Sequence, residues 1–322
     1  MNTDLEANSV TQFLETLNQV TSKSKRKTEK KLIWFRGESS IWRTPLVPNS
    51  YRVLADTFND FLDDLFNSQT LKDLEGNINA EFYRKSFPQI VKKGIDNTPW
   101  NRYFLMQHYK VKTRLLDWTE NALVALFFAV NDKSTIKDDA KVWILEPFDL
   151  NNYTVNTITG SKKSFPIIPY GYDNDIPQDL ITDEGKVRLE ELTRRYLRMD
   201  FDHKESHVIN KIYHPLAMYP LYLDERMSAQ KTCFTIFGNK INGLLSIQNH
   251  DDFLFSIKIN GSNKLSILEE LKLLGIDYET IYPDLDGLGI SINNKFHNEF
   301  FNNTETLIHI LKKTQRKGQG HK

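Results

Sequence analysis

The string Thr113–Val130 (TRLLDWTENALVALFFAV) constrains the fold of this chain more than any other. It runs from a short apolar segment studded with Arg114, Asp117 and Thr119 into the unbroken apolar run Ala122–Val130. That run is about half of what a membrane span needs. A helix apolar on all sides must be covered on all sides, so it predicts a globular core rather than a membrane. Leu115 and Leu116 point to that core, which crowds Arg114, Asp117 and Thr119 at a strand-to-helix junction. Such a junction offers unpaired backbone N–H groups and a positive dipole end, a ready place for an anion. Asp117 or Thr119 also reads as the cap of the helix.

The rest of the chain supplies partners for that core. Val10, Phe13, Leu14 and Leu17 recur at helical spacing behind Ser9, an expected N-cap. Residues 31–37 (KLIWFRG) and 141–145 (KVWIL) read as strands, as do 231–237 (KTCFTIF) and 253–259 (FLFSIKI). Residues 51–93 have a helical pattern with breaks expected at Gly76-Asn77 and Pro88. Residues 151–179, rich in Asn, Pro, Gly and Thr, read as a long loop. Residues 185–200 read as a charged helix, and 262–274 as a helix capped by Ser262 or Asn263 and closed by Gly275. Strands and helices without regular alternation predict an α+β fold with a mixed or antiparallel central sheet. The expected division is an N-terminal helix (1–20), a basic linker (21–31), one domain (32–295), and a C-terminal helix with a basic tail (296–322).

Charge needs to be taken apart before it means anything. The chain has 42 basic and 42 acidic residues among 322, a formal net charge of zero. Residues 21–31 hold six basic groups against one acidic, and 312–322 hold five against none. The body between and around them is therefore acidic, and any grip on an anion is expected to be local. Both basic runs read as solvated segments, with weak polyanion contact as the other reading. A single cysteine, Cys233, excludes an internal disulfide framework and reads as a small buried side chain. With no signal peptide evident, a soluble cytoplasmic protein is expected.

Two clusters combine polar, charged and aromatic residues inside core-like strings. The first is Trp34-Phe35-Arg36-Gly37-Glu38-Ser39, where a strand-end arginine can grip phosphate bidentately and Gly37 can let a ligand approach the backbone. The plainer reading pairs Arg36 with a carboxylate such as Glu81. The second joins Gln107-His108-Tyr109 to the Arg114–Thr119 segment. A further structural reading makes Arg36, Arg114 and Asp117 a buried ion network. His203 and His207 have the spacing of a helical zinc pair but no third ligand, so no metal is expected. Asp284-Leu285-Asp286-Gly287 reads as a turn, and Gly287-Leu288-Gly289 is too short for a dinucleotide fingerprint.

In order along the chain, WFRGES, PLVPNSYR, QHYKVKTRLLDWTENALVALFFAV, AQKTCFTIFG and SILEELKLLGIDYETIYPDLDGL resemble the bacterial FRG domain family, from about Ser9 to about Ile292. That family usually has glycine and proline after the Gln-His pair, where this chain has Lys110-Val111-Lys112. A weaker resemblance links the chain to arginine-type ADP-ribosyltransferases. Arg36 matches their strand-end arginine, and Asp117-Trp118-Thr119 with Phe128-Ala129 stands where a Ser-Thr-Ser strand and Phe-Ala helix would be. The segment Asp224–Gln230 stands where they carry a glutamate, with Gln230 in that place. The resemblance implies an ADP-ribosyltransferase-like fold and NAD or another nucleotide as substrate. Arg36, Gly37, Arg52, Arg114, Trp118 and Thr119 would bind it, with His108, Asp117, Gln230 and Glu225 around the reacting ribose. It also implies transfer to a nucleic-acid or protein acceptor, a toxin or antiphage role, and a neutralising antitoxin as partner. The alternative is a non-catalytic module that binds nucleic acid or a protein partner.

Overall fold

The computed structural model describes residues 5–23, 32–52, 69–160, 168–169, 179–182, 185–198 and 212–298. The strands are β1 (Glu6–Ala7), β2 (Trp34–Glu38), β3 (Leu115–Thr119), β4 (Ala140–Leu145), β5 (Asp179–Thr182), β6 (Gly185–Arg188), β7 (Leu216–Met218), β8 (Thr232–Ile236) and β9 (Leu254–Ile259). The helices are α1 (Val10–Lys23), α2 (Gln69–Lys92), α3 (Pro99–His108), α4 (Ala122–Val130), α5 (Pro147–Thr159), α6 (Leu189–Leu197), α7 (Glu225–Ala229), α8 (Lys264–Leu273), α9 (Tyr278–Ile281) and α10 (Leu285–Ile292). Seven strands form one mixed sheet in the order β1-β9-β4-β2-β3-β8-β7, and β5 and β6 form a separate hairpin. All neighbours in the large sheet are antiparallel except β1 and β9. The expected mixed sheet with helices is therefore present.

The sheet has a weak line across its middle. β4 matches β2 along the whole of that strand, and β3 matches β8 along the whole of both. Between β2 and β3 the register holds a single pair, Phe35 with Thr119. On one face a continuous core spans both halves through Trp34, Leu116, Trp118, Trp143 and Cys233. On the other face the core divides. Phe35, Val142 and Ile257 pack with α1 and α4, while Leu115, Phe234 and Ile236 pack with α3. The cleft between those two clusters lies over the point where β2 and β3 part.

Several local expectations hold. Ser9 Oγ accepts from Gln12 N at 3.1 Å at the start of α1. At the end of α8, Gly275 adopts φ +77 and Ile276 N donates to Leu271 O at 2.9 Å, the αL closure expected of that glycine. Asn263 holds the N-cap position of α8, but its side chain makes no capping bond; Asn260 caps the preceding turn instead. Cys233 is fully buried, and burial pushes its thiol well up.

Other expectations are corrected. α2 runs unbroken through Gly76 and Pro88. The first part of the expected 151–179 loop is helix α5, because its polar residues have tertiary partners. Asn151 accepts from Ala217 N at 2.7 Å and donates to Ala217 O at 2.9 Å, and Thr154 Oγ1 donates to Pro215 O at 2.7 Å. The chain leaves α5 through Gly160 at φ +68. The charged segment at 185–200 opens as strand β6, and helix begins only at Leu189. Helix α1 takes in residues 21–23 of the expected linker; residues 24–31, the histidine pair 203–207 and the tail beyond 298 lie outside the described residues. Among the described residues, no helix is long and apolar enough to cross a membrane.

Candidate functional site

A pocket of about 570 Å³ opens where β2 and β3 part. Its walls include Arg36, Gly37, Arg52, His108, Asp117, Trp118, Thr119 and Gln230, eight of the ten residues singled out from sequence. Volume and lining suit a small-molecule site.

Arg36 bridges the opening. Its Nη1 donates to Asp117 O at 2.9 Å, and its Nε lies 3.3 Å from Glu38 Oε1. Glu81, the alternative partner, instead pairs with Arg84 and Lys85. Glu38 is buried and fully engaged, since it also accepts from Leu46 N at 3.1 Å and Trp143 Nε1 at 2.9 Å. It fixes both Arg36 and the turn at Leu46, whose φ is +57. Gly37, in the pocket wall, also serves the fold. A Cβ there would overlap the carbonyl oxygen of Ala125 and approach Ala129 N to 2.6 Å, so α4 packs directly on the bare strand.

Asp117 is exposed toward the pocket and is aimed by a relay. Thr113 Oγ1 donates to Gln107 Oε1 at 2.6 Å, which turns the Gln107 amide so that Nε2 donates to Asp117 Oδ2 at 2.7 Å. Thr119 Oγ1 donates to Gln230 O at 2.6 Å and accepts from Asn121 N at 3.0 Å. The cap of α4 is therefore Asn121, which accepts from Leu123 N and Val124 N, and neither Asp117 nor Thr119. Gln230 closes α7, and its amide Nε2 donates to Ile281 O at 3.1 Å.

His108 faces Asp224, with Nε2 to Oδ2 at 2.8 Å. Asp224 also caps α7 by accepting from Met227 N at 2.8 Å. Burial pushes the Asp224 carboxyl up, but these bonds outweigh it and hold the pKa below the ordinary range. A neutral His108 that donates through Nε2 leaves Nδ1 as a proton acceptor.

On a further wall Asp132 accepts from Ser134 and Ser39, bonds that hold its carboxyl below the usual range. Behind it the buried Lys264 donates to Ser39 O at 2.6 Å and Thr135 O at 2.7 Å. Burial pushes the Lys264 ammonium down, partly offset by Asp138, Asp132 and Asp139.

Two expected site residues are elsewhere. Arg114 is 1% exposed and outside the pocket. Its Nε donates to Glu75 at 2.7 Å, Nη1 to Phe237 O at 2.7 Å and Nη2 to Tyr196 O at 2.7 Å. Burial opposes its charge, but Glu75, with Tyr103 and Tyr51, raises its pKa above the ordinary value. A guanidinium so engaged cannot also hold a phosphate. The buried ion network foreseen as a structural reading thus exists, but around Arg114 and Glu75 rather than Arg36 and Asp117. Glu225 is exposed on α7 and does not line the pocket.

The structure adds residues that sequence reasoning passed over. Arg226 lines the pocket with its guanidinium 4.3 Å from the Tyr282 ring centre, and its Nε is buried without a hydrogen-bond partner. Tyr282 stacks on Tyr278 at 4.6 Å and meets Phe128 edge-on at 6.3 Å. Lys110 also lines the wall at φ +63, a conformation that favours glycine. Arg226 lies in the segment 224–230 that the resemblance singles out, whereas nothing in the sequence near Tyr282 points to a pocket. Among the described residues, no group of three or more His, Cys, Asp or Glu side chains is placed to hold a metal ion.

Comparison with curated proteins and with solved structures gives no match. The family model of the FRG domain matches residues 31–138. That span carries Arg36, Gly37, Arg52, His108, Asp117, Trp118 and Thr119, but stops short of Arg226, Gln230 and Tyr282. One continuous FRG-matched segment therefore supplies both sides of the parted strands.

Proposed function

We propose that the pocket binds NAD or a closely related nucleotide and that the chain transfers ADP-ribose to a macromolecule. The observation that carries this reading is the convergence of Arg36, Arg52 and Arg226 on one open pocket that also holds the exposed carboxylate Asp117. Arginines suit phosphate oxygens, and the half-buried ring of Phe128 in the pocket wall suits a planar base. The resemblance of Arg36 and the Asp117–Thr119 segment to arginine-type ADP-ribosyltransferases supports the choice of NAD and of that fold.

Arg36 and Arg226 hold the diphosphate. Asp117 stabilises the positive charge that develops on the ribose as the C1′–N bond breaks and nicotinamide leaves with the electron pair. Glu38 is fully engaged, Glu225 is remote, and Asp132 is held by Ser39 and Ser134, which leaves Asp117 as the carboxylate for that role. Gln230 orients the ribose through its amide oxygen, its Nε2 being held by Ile281 O. The acceptor nucleophile attacks C1′ and gives its proton to His108 Nδ1, with Asp224 stabilising the imidazolium. A toxin or antiphage role, checked by a neutralising antitoxin, fits an enzyme that consumes NAD and marks macromolecules.

A second reading, binding without catalysis, has its own support. Gln230 is not a carboxylate, and its amide is committed to Ile281 O. One experiment separates the two. NAD at millimolar concentration should raise the melting temperature, and nicotinamide should be released into solution. Both effects should vanish in Arg36→Ala while the fold persists. A thermal shift without nicotinamide release selects nucleotide binding without catalysis, and no shift with any nucleotide refutes the nucleotide pocket in either form.

A further inference from the structure

Two aromatic rings stand in the open around the pocket mouth. Trp42 lines the pocket and is 41% exposed, and Tyr109, between the lining residues His108 and Lys110, is 51% exposed. Tyr109 is held in place. It meets the His108 ring edge-on at 4.9 Å, and Lys93 Nζ donates to its hydroxyl at 2.8 Å. Lys93, which is bonded to it, and Lys110 and Lys112, which follow it in the chain, are all exposed. Nearby Asp224 is already occupied by His108 and Met227 N. Lys110 is the most telling of them. The helix end at Tyr109 closes with Lys110 N on Gln107 O and Val111 N on Met106 O, a motif that wants glycine at position 110. A lysine there bears backbone strain to put an ammonium group at the pocket wall.

We infer that this mouth is a docking surface for single-stranded nucleic acid, with bases stacking on Tyr109 and Trp42 and phosphates meeting Lys110 and Lys112. Open rings interleaved with cations are how proteins hold unpaired strands regardless of sequence. An acidic peptide would use the lysines but not the ring faces, and a duplex keeps its bases stacked on each other. Resting on the transfer reading above, this polymer is the acceptor. A nitrogen of an unstacked base forms the new bond to C1′ and loses its proton to His108, while nicotinamide departs with the electrons of the old bond.

Fluorescence anisotropy of the full chain with labelled 12-nucleotide oligo(dT) and oligo(rU), without NAD, tests the surface itself. Tyr109→Ala should weaken binding roughly tenfold. Lys110→Gly should weaken it too and reduce the slope of log affinity against log salt by about 0.7. Its melting temperature should not fall, so lost binding there cannot be lost folding. The inference is overturned if oligonucleotides fail to bind at low salt, if Tyr109→Ala binds unchanged, or if polyglutamate or a 12-base-pair duplex competes equally. Because NAD is absent, those failures leave the nucleotide reading standing. Tight oligonucleotide binding by a chain that NAD does not stabilise would instead remove the transfer reading and keep the surface.

Discussion

Arg36 and Arg114 look alike in sequence, each a strand-end arginine in a polar string, yet the fold uses them in opposite ways. Arg114 is sealed among Glu75, Tyr103, Phe237 O and Tyr196 O. Arg36 stands at the pocket wall with one firm bond, to Asp117 O. The difference lies in what surrounds each side chain. The carbonyls at the end of β8 and α6 and the carboxylate of α2 leave Arg114 nothing to offer a ligand. Arg36 faces a place where the sheet has come apart. An arginine's role is therefore set by how many of its donors the fold has already used.

The largest expected effect breaks the buried side of that comparison. Arg114→Ala strands Glu75 and leaves carbonyls unpaired, which should cost about 3–5 kcal/mol in urea unfolding. An unchanged midpoint would mean the network is ornamental. Next is Gly37→Ala, whose methyl must displace the backbone of α4; about 1–3 kcal/mol is expected, with the pocket distorted. Arg36→Ala should cost only about 1 kcal/mol, since Glu38 keeps its bonds from Leu46 and Trp143. If it instead unfolds the chain as Arg114→Ala does, the two arginines are not opposites at all.

Smaller effects sharpen the picture at the mouth. Lys110→Gly should raise stability by about 1 kcal/mol, readable as a higher urea midpoint. The Asp224 carboxylate gives a pH signature. Its folded pKa lies below the unfolded value, so its stabilisation is complete above about pH 4 and is lost as pH falls through the folded pKa. Asp224→Asn should thus cost about 1 kcal/mol or less at pH 7 and nothing at the acid end. A difference that persists below the folded pKa would assign the effect to the cap instead.

What the sequence makes legible here follows from how far each signal reaches. The strands around β2, β3, β4, β8 and β9 stand out because they are buried on both faces, and most of the pocket lies on their ends. Helix α5 was illegible because Asn151 and Thr154 look like loop residues until β7 is placed beside them. Arg114 misled for the same reason, since Glu75 is far away in sequence. Gly37 reads in sequence as a point of close approach, and α4 makes such an approach there. Tyr282 could not be foreseen, because only the docking of α9 against α7 and α4 brings its ring to the wall.

The single Phe35–Thr119 pair has a consequence for assembly. Past it, β2 and β3 are no longer paired with each other, so the molecule carries a short sheet edge in its interior. An outer edge of that kind invites foreign strands, which proteins deter with charge and brevity. Both deterrents are present. The open stretch is a few residues long, flanked by the α3 and α4 clusters, and Arg36 spans it by taking Asp117 O, a carbonyl that has no ladder partner on β2. The opening is therefore too short and too well guarded to admit another chain.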